Sequence, residues 1–165
     1  MMQSTLVKLQ SPVIAAIQPH LSDTEEEILS ALRPLSPDYP GIECWFLNKV
    51  IPGVQAGTRK IIRIDRNHRL AAFGIAKKKG ESKICTVRVM PGYGGRGLAL
   101  KIFDAALTWL DTPRPHLTVS DRRHADFERI LQYYGFKLTS VRRGLYLPDR
   151  LEYLYNEPVN LRAKD

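Results

Sequence analysis

The chain is poor in cysteine: Cys44 and Cys85 are the only two among 165 residues, and they stand far apart. That spacing does not suit a disulfide scaffold, and a reducing cytoplasm is the expected setting. The four histidines, His20, His68, His116 and His124, show no metal-ligand spacing with those cysteines, so no metal is expected. No apolar run reaches the roughly 18 residues that a membrane-crossing helix needs. Met1–Gln10 lacks the charged start and long apolar core of a signal peptide. There is no internal repeat, no low-complexity stretch, and no aromatic-interleaved motif of the RNA-recognition kind. Length and composition predict one domain over residues 1–165, with a helical N-terminal part, 1–57, belonging to the same domain.

Positive charge is in excess, with 25 Lys and Arg against 17 Asp and Glu, a net +8. It falls in short clusters: Arg59-Lys60, Lys77-Lys78-Lys79, Arg122-Arg123 and Arg142-Arg143. Such a surface attracts nucleic acid, acidic protein or a polyphosphate cofactor, or simply keeps the protein solvated.

Helical signals come first. Asp23–Leu32 carries its acidic residues in the first turns, where the helix dipole favours them. Pro34, Pro37 and Pro40 interrupt, and a second helix is predicted over Ile42–Ile51, ended by Pro52-Gly53. Strand patterns follow. Lys60–Arg66 and Leu70–Ala76 flank an Asn67-His68 turn, and Ser82–Val89 follows a polar turn, giving an antiparallel meander. Apolar residues at helical spacing mark Leu98–Asp111. His116–Val119 is predicted as a strand parallel to Ser82–Val89, because a helix connects the two. Ser120 or Asp121 is predicted to cap the next helix, whose apolar face is Phe127, Ile130, Leu131 and Tyr134 and whose end is Gly135. Lys137–Arg142 and Glu152–Tyr155 close the order. The expected fold is α/β (α+β, mixed sheet): a meander plus one βαβ crossover, with helices on both faces.

The stretch Met90-Pro91-Gly92-Tyr93-Gly94-Gly95-Arg96-Gly97-Leu98-Ala99 joins a strand to a helix. A glycine-rich turn there aims unpaired backbone N–H groups at one point and binds phosphate. Gly92-x-Gly94-x-x-Gly97 matches the dinucleotide fingerprint, but that fingerprint belongs after a first strand and before repeated βαβ units. Val89-x-Pro91 followed by Gly95-Arg96-Gly97-Leu98-Ala99 resembles instead the acyl-CoA loop of the GNAT superfamily of N-acetyltransferases. Gly94 departs from the Gln or Arg usual at its position. Tyr133-Tyr134-Gly135-Phe136 resembles the family's helix end before Gly-Phe. Trp45-Phe46, Lys83–Val89 and Thr118-Val119-Ser120 resemble a bacterial subgroup.

The resemblance implies a GNAT-like fold, in which the strand before the loop splays from its parallel neighbour. It implies acetyl-CoA (coenzyme A) as cofactor, with Val87 and Val89 offering backbone hydrogen bonds to the pantetheine arm. Gly94, Gly95, Arg96, Gly97, Leu98 and Ala99 would face the diphosphate. Direct attack of an amine on a thioester needs an acid for the leaving thiolate. The family's usual tyrosine position holds Leu131, which leaves Tyr133, Tyr146 and Ser120 as candidate catalytic residues. Glu43, Glu81 and Asp65 are candidate bases, and Cys85 is a nucleophile only if a histidine activates it. The implied function is an acetyl-CoA-dependent N-acetyltransferase whose acceptor is a small-molecule amine, a protein amine or an aminoacyl-tRNA, in the cytoplasm and away from membranes, with a homodimer possible. The alternatives are a non-catalytic acyl-CoA-binding regulator and a dinucleotide-binding protein.

Overall fold

Ser22 starts the first helix, α1 (Asp23–Leu32), with a capping box. Its hydroxyl accepts from the Glu25 amide at 3.3 Å, and the Glu25 carboxylate accepts from the Ser22 amide at 2.8 Å. The computed structural model describes residues 19–162, so Met1–Gln10, read above for leader character, lies outside them. A short 3₁₀ turn leads to α2 (Ile42–Trp45), a π-helical turn (Phe46–Val50) and α3 (Ile51–Gln55). The helix therefore runs past Pro52-Gly53 instead of ending there. The reason lies in the π turn, where the Ile51 amide bonds the Phe46 carbonyl five residues back. The widened turn accommodates a proline that has no N–H and whose ring would strike a carbonyl in an α turn.

The meander is formed by β1 (Arg59–Arg66), β2 (Arg69–Lys77) and β3 (Lys83–Val89), antiparallel in that order. Asn67 and His68 both adopt positive φ, 49° and 60°, which matches the two-residue turn to the twist of its strands. β2 is buried from Leu70 to Ala76 because both faces are covered. Phe73 and Ile75 pack on Phe46, Val50 and Ile51, so the helical region containing Trp45 and Phe46 lies on the sheet. Ala72 and Ala76 pack on Ile102, Phe103 and Ala106 of α4 (Leu98–Leu110). Gly74 permits that approach: a Cβ there would lie 2.4 Å from Ile102 Cγ2.

Beyond α4 come β4 (Leu117–Ser120), α5 (His124–Tyr133), β5 (Leu138–Arg143), β6 (Leu151–Tyr155) and α6 (Val159–Arg162). β6 lies between β4 and β5, antiparallel to both. Neither Ser120 nor Asp121 caps α5. The chain first makes a turn in which the Arg123 amide bonds the Ser120 carbonyl, and Arg123 stands at the N-cap. Asp121 is held instead by Arg150, at 2.6 Å. Gly135, at φ 68°, ends α5 as the sequence implies.

The two sheets meet at one point. Lys83 and His116 form an isolated parallel bridge, with the Ile84 amide 3.0 Å from the His116 carbonyl and the His116 amide 2.8 Å from the Ser82 carbonyl. The expected parallel pairing of β3 with β4 is realised only there. Just past the bridge, the β2–β3 register shifts between Ile75 and Ala76, leaving Cys85 as the extra residue. Such a bulge bends its strand and increases the twist, turning the rest of β3 away from β4. Glu81 secures the closed end: its carboxylate lies 3.0 Å from His116 Nδ1 and 3.3 Å from Lys77 Nζ. The hydrogen bond from His116 outweighs burial and holds the Glu81 carboxyl down at about 2.

Two stability predictions follow from this packing. Because Glu81 ionises more readily folded than at its ordinary 4.5, its stabilisation is present above that pH and lost as pH falls toward about 2. Urea unfolding across that window should lose about 2 kcal/mol, a loss that Glu81→Gln abolishes; an unchanged profile in the variant would contradict the assignment. Gly74→Ala should cost about 1–3 kcal/mol by overpacking α4, whereas Gly94→Ala, whose Cβ meets nothing within 4 Å, should stay within about 0.5 kcal/mol.

Candidate active site

The splay opens a cleft of about 390 Å³ between β3 and β4. Thr86 and Val87 line one side, Thr118 and Val119 the other, and Trp45 and Tyr146 close it on the side of the N-terminal helices. The Met90 amide bonds the Ala71 carbonyl of β2 at 2.8 Å. Strand alternation from that point turns the backbone groups of Val89 and Val87 away from β2, to the open edge of β3. Their side chains pack with the α4 core, so the two roles do not compete.

The open edge runs into the glycine turn. Gly92, Gly95 and Gly97 take positive φ of 88°, 71° and 69°, and Gly97 is the N-cap of α4. Gly94 has ordinary φ and open space around it, so nothing within the described residues requires a glycine there. No amide from Gly94 to Leu100 donates to another described residue; the first amide with an acceptor is Lys101, bonded to the Gly97 carbonyl. These donors stand at the positive end of a 13-residue helix, a geometry that suits an anion. Arg96 is exposed beside them, its guanidinium 5.8 Å from the Tyr93 ring.

The sequence candidates separate spatially. Tyr133 is 74% exposed, edge-on to Tyr134, and does not line the cleft. Tyr134 stacks on Phe103 and bonds Asp104, which keeps it out of the cleft. Leu131, at the family's usual tyrosine position, is buried in the core. Tyr146 lines the cleft, with its ring edge-on to Tyr39 at 5.2 Å. Ser120 is buried nearby, and its hydroxyl has no hydrogen-bond partner among the described residues. Two further residues were missed in the sequence: Tyr39, which lines the cleft, and Glu152, buried behind it beside Ser120 and Tyr146. The Tyr39 hydroxyl lies 3.3 Å from Glu152 Oε1. Burial pushes the Glu152 carboxyl above the ordinary carboxylate range, opposed by hydrogen bonds from Thr118 and Tyr39. Burial and then the Glu152 charge push the Tyr39 hydroxyl up as well. A signal for Glu152 existed, since it alternates with Leu154 and so shares the buried parity of β6.

The other proposed bases are engaged elsewhere. Glu43 pairs with Arg33, Asp65 with Arg63, and Glu81 secures the sheet junction. Cys85 faces the N-terminal helices with Arg59 Nη1 3.6 Å from its sulfur. Burial pushes its thiol up, and His116 is turned to Glu81, so nothing activates it as a nucleophile.

No protein-family model matches this chain, and no curated protein does. Solved structures do. A GNAT-family acetyltransferase from Desulfovibrio desulfuricans superposes with a TM-score of 0.64 at 13% identity, covering 84% of this chain and 94% of that one. A GNAT-family acetyltransferase from Streptococcus pneumoniae gives 0.59 at 18% identity, over 79% and 90%. The PaiA N-acetyltransferase from Thermoplasma acidophilum, in complex with coenzyme A, gives 0.58 at 13%, over 82% and 94%. A three-stranded antiparallel meander joined by one bridge to a sheet of order β4-β6-β5 is not a doubly wound dinucleotide-binding sheet. The fold of this chain is the fold of these GNAT-family structures.

Proposed function

We propose that this chain is an acetyl-CoA-dependent N-acetyltransferase. The observation that carries the reading is the continuity of two unsatisfied backbone surfaces: the β3 edge at Val87 and Val89, and the free amides of Gly94–Ala99. The first suits a neutral, amide-bearing arm, and the second suits a diphosphate. Arg96 adds a charge for the same phosphates. The coenzyme A-bound relative of the same fold supports this ligand.

Acetyl-CoA, when bound, supplies a thioester carbonyl open to attack by an amine. The chain's own residues then have distinct tasks. Val87 and Val89 orient the reacting end in the cleft. Glu152, buried behind the cleft and raised above the usual carboxylate range, draws the proton of the acceptor amine through the Tyr39 hydroxyl, which lines the cleft and passes its own proton to Glu152 as it takes the amine's. Tyr146, in the cleft, holds a proton for the departing sulfur. Ser120 supports the cluster beside Tyr39. Leu131 at the usual tyrosine position favours a second reading, a non-catalytic acyl-CoA-binding regulator. The cytoplasmic setting remains part of this proposal.

Calorimetry should detect acetyl-CoA binding, and an amine panel should yield acceptor-dependent thiol release. Tyr146→Phe should lower kcat about 100-fold with acetyl-CoA affinity kept, while Tyr133→Phe stays near wild type. The acceptor kcat/KM should rise with pH through a midpoint above the ordinary carboxylate range, and Glu152→Gln should remove that limb. Binding without thiol release from any amine would favour the regulator.

A further inference from the structure

The cleft has a charge that the chemistry above does not use. Arg59, Lys77, Lys83, Arg88 and Arg123 line it, against the single carboxylate of Glu81. Most are spoken for. Arg59 lies over the Trp45 ring at 5.8 Å, Lys77 pairs with Glu81, and Arg123 has Asp126 at 3.2 Å. Arg88 has no ion-pair or hydrogen-bond partner among the described residues, and its Nε is shut off from water with nothing to donate to. Burial and the neighbouring Arg123 charge both disfavour its protonated form. A guanidinium remains charged at neutral pH all the same, so the fold carries an uncompensated cation beside a like charge.

Register shows which side of the sheet that cation serves. Arg88 pairs across to Phe73, whose side chain packs under the N-terminal helices. Val87 and Val89 point the opposite way, into the α4 core. The α4 N-terminus and its free amides therefore belong to one face and Arg88 to the other. A diphosphate seated on the glycine turn would not neutralise it. What reaches Arg88 must enter the cleft from the side of Trp45, Tyr39 and Tyr146.

Resting on the acetyltransferase reading, we infer that the acceptor is a small amine carrying an anionic group, a carboxylate or a phosphate, which Arg88 binds and Arg123 flanks. A fork of N–H donors suits either oxyanion, and an anion there would satisfy the orphaned Nε and screen the two guanidiniums from each other. A cleft of about 390 Å³ is the size of a small-molecule site. Arg88 is thus a specificity-determining residue.

The test is calorimetric titration of coenzyme A-saturated protein, so that the phosphate turn is filled. Probes are matched pairs: phosphoethanolamine against ethanolamine, and glycine and β-alanine against glycinamide. The member that carries the carboxylate or phosphate should bind in at least one pair, and its counterpart without that group should bind at least about tenfold more weakly. Whichever pair shows this identifies phosphate or carboxylate. Arg88→Gln should weaken the anionic probe about tenfold or more, Arg88→Lys should restore part of the loss, and coenzyme A affinity should be unchanged in both. Arg88 is half-buried and unpaired among the described residues, so Arg88→Gln should keep its melting temperature, and that measurement separates lost binding from misfolding. Probes without the carboxylate or phosphate binding as well as those with it, no probe with it binding, or an Arg88→Gln variant that binds them normally would overturn the inference. Failure of coenzyme A itself to bind would overturn the acetyltransferase reading separately, and the probe series on ligand-free protein would still decide the role of Arg88.

Discussion

The cleft depends on two sheets being joined, among the described residues, at a single bridge. Had β3 and β4 paired along their lengths, Val87 and Val89 would have spent their backbone groups on a neighbour, and the cleft would not exist. The junction at Lys83 and His116 is reinforced by Glu81 and followed at once by the bulge at Cys85. Pairing is thus strong where the fold needs continuity and absent where a ligand needs a strand edge. An unpaired strand edge inside a protein is costly unless something completes its hydrogen bonds.

The surrounding architecture holds that geometry rigid. β2 is sandwiched between α4 on one face and the helical N-terminal region on the other, which makes the meander a fixed wall. α4 is drawn close over Gly74, and its N-terminus is thereby held at the end of the open β3 edge. The second sheet sets Thr118 and Val119 along the other wall, with Ser120 and Glu152 paired in register behind it. Tyr39 and Tyr146 arrive from loops. The result is one face that offers neutral and anion-binding backbone groups, and an opposite face that offers titratable side chains and cations.

Much of this was legible in the residues. The meander, the glycine turn, α4 and α5 all carried strong local signals: a two-residue turn, positive-φ glycines, and an apolar stripe ended by Gly135. The fold class and its family likeness followed from their order. Local signals failed where tertiary geometry decided. Pro52 looked like a stop, but a π turn absorbed it. Ser120 looked like a cap, yet the chain turned first and Arg123 took that place. Tyr39 and Arg88 come from separate segments and share a cleft only through the splay, and Glu152 joins them by its bond to Tyr39, so no spacing in the sequence could connect the three. Tyr133 had the right neighbourhood in sequence but stands exposed and outside the cleft in space.

The account's central claim concerns the gap between β3 and β4, and a crystal structure with coenzyme A bound tests it most directly. The pantetheine arm should run through that gap, its amides bonded to the backbone of Val87 and Val89, with the diphosphate on the amides of Gly94–Ala99. An arm bound elsewhere on the surface, or a gap closed by continuous pairing of β3 with β4, would contradict it.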